Sequence, residues 1–81
     1  MLVNLIQYKH PAYPAQTAVW AQYSGGYKVW IESEDVLAVY KLASGISTVS
    51  AFGDDWFVAA GPVLPGSPLP YACDAYGRKV W

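Results

Sequence analysis

The sequence predicts a small β-rich α+β domain. Its expected parts are a short N-terminal strand, two antiparallel hairpins, one short helix over about residues 34–44, and an extended proline-rich C-terminal arm. Three observations predict this. Runs of aromatic and β-branched residues are separated by glycine-containing turns, the signature of hairpins. The segment from Ser33 to Gly45 carries start and stop signals of a helix. Pro62, Pro65, Pro68 and Pro70 crowd a stretch that cannot enter a sheet interior. If residues 33–45 were a strand instead, the same pattern would give an all-β small barrel or sandwich.

Residues 2–8 read as the first strand, and His10-Pro11-Ala12-Tyr13-Pro14 as a stiff extended loop, because each proline pushes its predecessor toward β or polyproline II. Residues 17–23 and 27–33 form the best-marked hairpin, joined by Ser24-Gly25-Gly26. Parity selects its register. A three-residue loop pairs Tyr23 with Tyr27, Ala21 with Val29 and Val19 with Ile31, which makes one consistent apolar face. The other, more polar face then pairs Gln22 with Lys28, Trp20 with Trp30 and Ala18 with Glu32. A two-residue loop would mix the faces, so the three-residue loop is expected, with a glycine in the left-handed position.

Ser33 is suited to cap a helix, with Glu34 and Asp35 in its first turn, Lys41 near its end and Gly45 just beyond. Val36, Val39, Tyr40 and Ala43 would then share one stripe. Residues 46–52 and 55–60 suggest a second hairpin turning at Gly53-Asp54-Asp55. Both of its faces carry apolar residues, so it is expected to be covered on both. From Gly61 the character changes. Pro62, Pro65 and Pro68 recur every three residues, one face of a polyproline II helix. Residues 1–60 are therefore expected as the compact domain and residues 61–81 as an arm, able when extended to span on the order of 60 Å.

Composition narrows the class. The chain has 81 residues, 54% hydrophobic and 14% charged, where soluble domains carry roughly 25% charged residues. Thirteen aromatics (four Trp, seven Tyr, two Phe) exclude global disorder. A domain this small buries only about 60–65% of the surface its unfolded chain exposes, so large apolar side chains are expected to stay on its surface, where contiguous patches mark interaction sites. Scattered surface Tyr and Trp on a monomer is the plainer alternative.

The formal net charge of −1 offers no electrostatic footprint for nucleic acid. Cys73 is the single cysteine, so neither an intrachain disulfide nor a cysteine-based zinc site is expected. The N-terminus lacks a basic region and a continuous apolar stretch. Both long uncharged runs are broken by Pro or Gly, so no secretory signal and no membrane-spanning helix is expected. The reading is of a soluble protein made in the cytoplasm. A Cys73–His10 nucleophile pair has no support beyond the presence of one of each. Asp54-Asp55 and Glu34-Asp35 are explained by a turn and a helix start, and no calcium or phosphate loop appears. No catalytic residue, cofactor or metal is expected.

Trp20 and Trp30 are the sharpest local feature. Side by side they would make a platform for a glycan, a proline-rich peptide or a partner protein; packed under the chain's own loops they would only stabilise the hairpin. The expected function is that of a non-enzymatic structural subunit packing on other protein subunits, a virion accessory protein such as a bacteriophage capsid-decoration or tail component being the setting suggested by analogy. The expected partner-binding residues are Trp20, Trp30, Trp56, Pro62, Pro65, Pro68, Tyr71, Tyr76 and Trp81. The alternative is a small binding module using the Trp pair.

Overall fold

A four-stranded mixed sheet in the order β3-β2-β1-β4 organises the chain, in a computed structural model that describes residues 1–9 and 17–80. The strands are β1 (Leu2–Lys9), β2 (Thr17–Tyr23), β3 (Tyr27–Trp30) and β4 (Val49–Phe52), with helices α1 (Glu34–Ser44) and α2 (Asp54–Ala59). The β-rich α+β class is therefore the one expected, and the barrel or sandwich alternative falls with the two helices. The loop expected around His10–Pro14, Trp81 and any Cys73–His10 contact lie outside the described residues.

β2 and β3 pair antiparallel with Tyr23 opposite Tyr27, Ala21 opposite Val29, Gln22 opposite Lys28 and Trp20 opposite Trp30, the register that parity selects. Gly26 takes the left-handed position at φ 86°, and its N–H donates to the Tyr23 carbonyl. β1 pairs antiparallel with β2, and β4 lies parallel to β1 with Leu5 opposite Val49 and Tyr8 opposite Phe52. α1 thus carries the chain from one edge strand to the other, as a parallel connection requires.

α1 starts and stops on the expected signals. The Ser33 hydroxyl accepts from the Val36 N–H, and Gly45 closes the helix at φ 76°. Val36, Leu37 and Tyr40 pack on a core cluster of Leu5, Ala21 and Ile31. The expected inward stripe is half right: Val36 and Tyr40 face the sheet, whereas Val39 and Ala43 are exposed.

The second hairpin is replaced. β4 pairs with β1, and residues 54–59 are helical. Asp54 and Asp55 sit in the first turn of α2, where negative charge is favoured by the exposed N–H groups. Phe57 and Ala60 are buried while Trp56 and Ala59 are exposed, the three-residue spacing of a helix face and not the alternation of a strand. On the second face of the sheet, Phe57 and Ala60 join Ile6, Tyr8, Ala18 and Trp20. Phe57 stacks on Tyr8 with centroids 4.0 Å apart and meets Trp20 edge-on at 5.5 Å.

The proline-rich segment returns on the body and does not project. The Lys28 N–H donates to the Pro62 carbonyl, and the Leu64 N–H donates to the Lys28 carbonyl, so residues 62–64 run beside β3 with a parallel bridge at Lys28 and Val63. The polyproline period breaks at Gly66, φ 82°, where a turn closes from the Ser67 N–H to the Leu64 carbonyl. Pro then Gly at the centre of a turn is the sequence of a reversal. Val63 and Tyr71 pack on the second core cluster. The Cα radius of gyration of 11.7 Å is about that of a compact domain of this length. Gly61 makes the return possible: at φ 107°, a Cβ there would lie 2.1 Å from the Gly26 carbonyl oxygen. Gly77, φ 83°, sits equally close under Phe57 and Val63, where a Cβ would meet both side chains at 3.1 Å.

Candidate functional site

Local structure explains where each expected partner-binding residue ends up. Trp20 is 0% exposed, because β2 is an inner strand and α2 and the returning segment cover its second face. Trp30 packs partly buried against the same cluster. The platform of two exposed indoles is therefore absent, and the pair stabilises the hairpin from inside. Trp56 is the contrary case, 70% exposed on the outer side of α2. Pro62, Pro65 and Pro68 are exposed, and Pro62 and Pro65 border, with Leu64 and Leu69, an open cleft of about 340 Å³. Tyr71 is half-buried, its hydroxyl donating to the Gly77 carbonyl at 3.1 Å. Burial pushes its pKa up to about 12. Tyr76 is exposed at the adjacent turn.

Lys28 was expected on a polar outer face and is instead 0% exposed. Its ammonium donates to the Phe57 carbonyl at 3.1 Å and to the Gly61 carbonyl, and lies 4.1 Å from the Phe57 ring centroid. These acceptors belong to the C-terminal turn of α2 and the residue beyond it, where a cation complements unsatisfied carbonyls. Burial lowers its pKa from 10.5 to about 8, opposed by the negative charge of Asp74 and by Cys73. The amine is wholly enclosed and committed to these acceptors, so it serves as a tie between β3, α2 and the returning segment.

A second polar tie fastens the C-terminal segment. Tyr8 Oη donates to Asp54 at 2.7 Å, Arg78 reaches Asp54 at 3.7 Å and Asp74 at 2.7 Å, and the Asp74 carboxylate also accepts from the Tyr76 and Arg78 N–H groups. Burial works against the Asp74 charge, but its hydrogen bonds to Arg78 and Tyr76 outweigh burial and hold the carboxyl below its usual range. Burial, helped by the Asp54 hydrogen bond and charge, raises the Tyr8 pKa. Burial likewise raises the Cys73 thiol, with Asp74 adding to the effect.

The residues missed in the sequence lie on two surfaces. On α1, Val39 is 65% and Leu42 89% exposed, four and seven residues from Asp35 on the helix side away from the sheet. Beside α2, a cleft of about 270 Å³ is lined by Asn4, Gln22, Trp56, Ala59 and Ala60. Leu42 was recoverable: once Val36 and Tyr40 point inward, a residue at 42 lies on the opposite side. The cleft was not, because it depends on α2 being a helix. Among the described residues, no group of three His, Cys, Asp or Glu side chains is placed to hold a metal ion, and no helix is long and apolar enough to cross a membrane. Compared with family models, curated proteins and solved structures, the chain matches none.

Proposed function

We propose that this chain is a non-enzymatic structural subunit that packs on other protein subunits through apolar surface. One observation carries the reading. Leu42, at 89% exposure, and Val39, at 65%, stand on the outer side of α1, a helix with no fully buried residue of its own. A helix that shows apolar side chains on both sides has a surface left to cover. The rim of the proline turn, with Pro65, Leu64 and Leu69 exposed, adds to the same surplus. A virion, with this chain as a capsid-decoration or tail component, is the narrower setting. Small size and low charge support it by analogy, and co-sedimentation with particles tests it.

The broader reading is tested by the native mass across a concentration series, read by light scattering. An oligomer that dissociates in the double variant Val39→Lys/Leu42→Lys is expected. A sharp monomer peak at every concentration, with no heterologous partner recovered in crosslinking, overturns the reading.

A further inference from the structure

The cleft beside α2 combines three features that ordinary packing does not require. The first is an indole, Trp56, that keeps 70% of its surface exposed while Phe57, its neighbour in sequence, takes the core position. The second is a pair of amides. Asn4 and Gln22 lie directly opposite each other on β1 and β2, on the sheet face otherwise occupied by Ile6, Tyr8, Ala18 and Trp20. Both are half-buried, and among the described residues no side-chain hydrogen bond ties up either amide. The third is a bulge in β1. The register shifts between Leu2 and Asn4, which turns Leu2 to the opposite face, where it packs beside Tyr23. Without that shift Leu2 would fall on the cleft side of the sheet. Bulges of this kind re-aim side chains beside functional sites.

Among the described residues, no charged side chain lines the cleft. Lys28, next in the cross-strand row after Gln22, is buried and engaged by two carbonyls. Among these residues an ionic ligand would therefore find no counter-charge. The lining instead offers a broad π face for C–H groups and two amides that each both donate and accept hydrogen bonds. Groups that both donate and accept, set around a C–H-rich ring, are the chemistry of an uncharged sugar. The volume, about 270 Å³, is near the lower end of the roughly 300–1,000 Å³ range of small-ligand sites, which fits one ring and part of a second.

We propose that the Asn4–Gln22–Trp56 cleft is a binding site for a neutral saccharide, with the sugar ring stacked on Trp56 and its hydroxyls on the two amides. The site is separate from the outer side of α1 and does not depend on it.

The test is titration of the full chain with neutral mono- and disaccharides (methyl glucoside, methyl galactoside, methyl mannoside and N,N′-diacetylchitobiose), followed by an array of uncharged oligosaccharides. The readout is the NMR shifts of the Asn4 and Gln22 side-chain amides and the Trp56 indole N–H. At least one sugar should shift all three groups together. Trp56→Ala should weaken that binding at least tenfold, and Gln22→Met, which keeps side-chain length, should weaken it several-fold. Both variants leave the core intact, so a retained circular dichroism spectrum accompanies the loss. The double variant Val39→Lys/Leu42→Lys should bind as the parent does, which keeps this result independent of the assembly reading. Silence of the three groups to every sugar overturns the proposal, as does binding that survives Trp56→Ala. A Trp56→Ala change that alters native mass but no sugar response also overturns it, assigning Trp56 to a protein interface.

Discussion

Lys28→Met should remove a pH dependence that the parent chain carries in its stability. The folded chain holds Lys28 at a pKa of about 8, against 10.5 when the side chain is free in water. Below pH 8 the folded state must therefore keep a buried ammonium, at a cost of roughly 3 kcal/mol relative to an unfolded chain that keeps it in water. Between pH 8 and 10.5 the unfolded chain binds the proton and the folded chain has released it, so raising the pH favours folding. From pH 7 to pH 9 the gain from this residue is roughly 1.3 kcal/mol. Cys73 and the half-buried Tyr23 and Tyr71 oppose the rise at higher pH. Their folded pKa values are raised above 9 and 10 respectively, so their contribution is lost as pH climbs past those values. The clean window is therefore pH 7 to 9, read as the difference between parent and variant. The assay is urea unfolding followed by tryptophan fluorescence at a series of pH values, extrapolated linearly to water. Methionine retains the apolar stem but leaves the Phe57 and Gly61 carbonyls without their donor, a loss of about 1–3 kcal/mol that offsets the removed charge at neutral pH. The variant's level of stability is thus close to the parent's, and its slope is the diagnostic. A parent profile flat from pH 7 to 9, or an equal rise in the variant, would refute the argument that Lys28 is buried and charged.

Four further outcomes follow from the packing. Gly61→Ala should cost at least about 3 kcal/mol in urea unfolding, because its Cβ would stand 2.1 Å from the Gly26 carbonyl oxygen at φ 107°; a loss under 1 kcal/mol would mean that the two backbones are not in contact. Phe57→Ala should cost about 3–5 kcal/mol, as for other buried aromatics, while Trp56→Ala, at a side chain 70% exposed, should cost clearly less; equal losses would contradict the helical assignment of residues 54–59. Ser33→Ala should lower stability by about 1 kcal/mol through loss of the N-cap bond to the Val36 N–H, with helicity by circular dichroism falling in step. The Asp74 carboxyl titrates below its usual range, so its contribution is present above the ordinary pKa near 4 and disappears as pH falls through the lowered value. Asp74→Asn should therefore flatten the acid limb of the stability profile, and an unchanged limb would show that the Arg78 pairing is idle.

How far the fold was legible differs from element to element. The first hairpin was readable because a one-residue slip would have opposed Val19 to Glu32, so parity alone chose the register. α1 was readable from its ends, Ser33 and Gly45. The polarity of the hairpin's faces was not. Lys28 and Gln22 marked one face as polar, yet that face holds Trp20 and takes up α2 and the returning segment. A lysine reads as exposed until the carbonyls that receive it are known, and Phe57 and Gly61 lie some thirty residues away. Residues 55–60 read as a strand, after a turn at Gly53-Asp54-Asp55, because Trp56, Phe57 and Val58 suit either structure, and six residues are too few for periodicity to decide. The arm was misread because prolines exclude a sheet interior but not an edge. Residues 62–64 need only one exchange of bonds with Lys28, and the lining cost of Pro62 is nil there because only its carbonyl is used. The cleft beside Trp56 followed both errors out of view.

The place of Gly77 under Phe57 and Val63 sets an order in time. Residues 1–60 contain the sheet and both helices, but the side of the sheet that carries Trp20, Tyr8 and Lys28 is only partly covered, by α2, until the segment bearing Val63, Tyr71 and Gly77 arrives. Until that segment docks, the sides of Phe57 that Val63 and Gly77 cover lie open, the kind of exposure that invites premature association. The last closing step joins residues far apart in the sequence, and such closures are slow. A chain interrupted before Gly77 would carry every strand and helix described here and still lack a finished core.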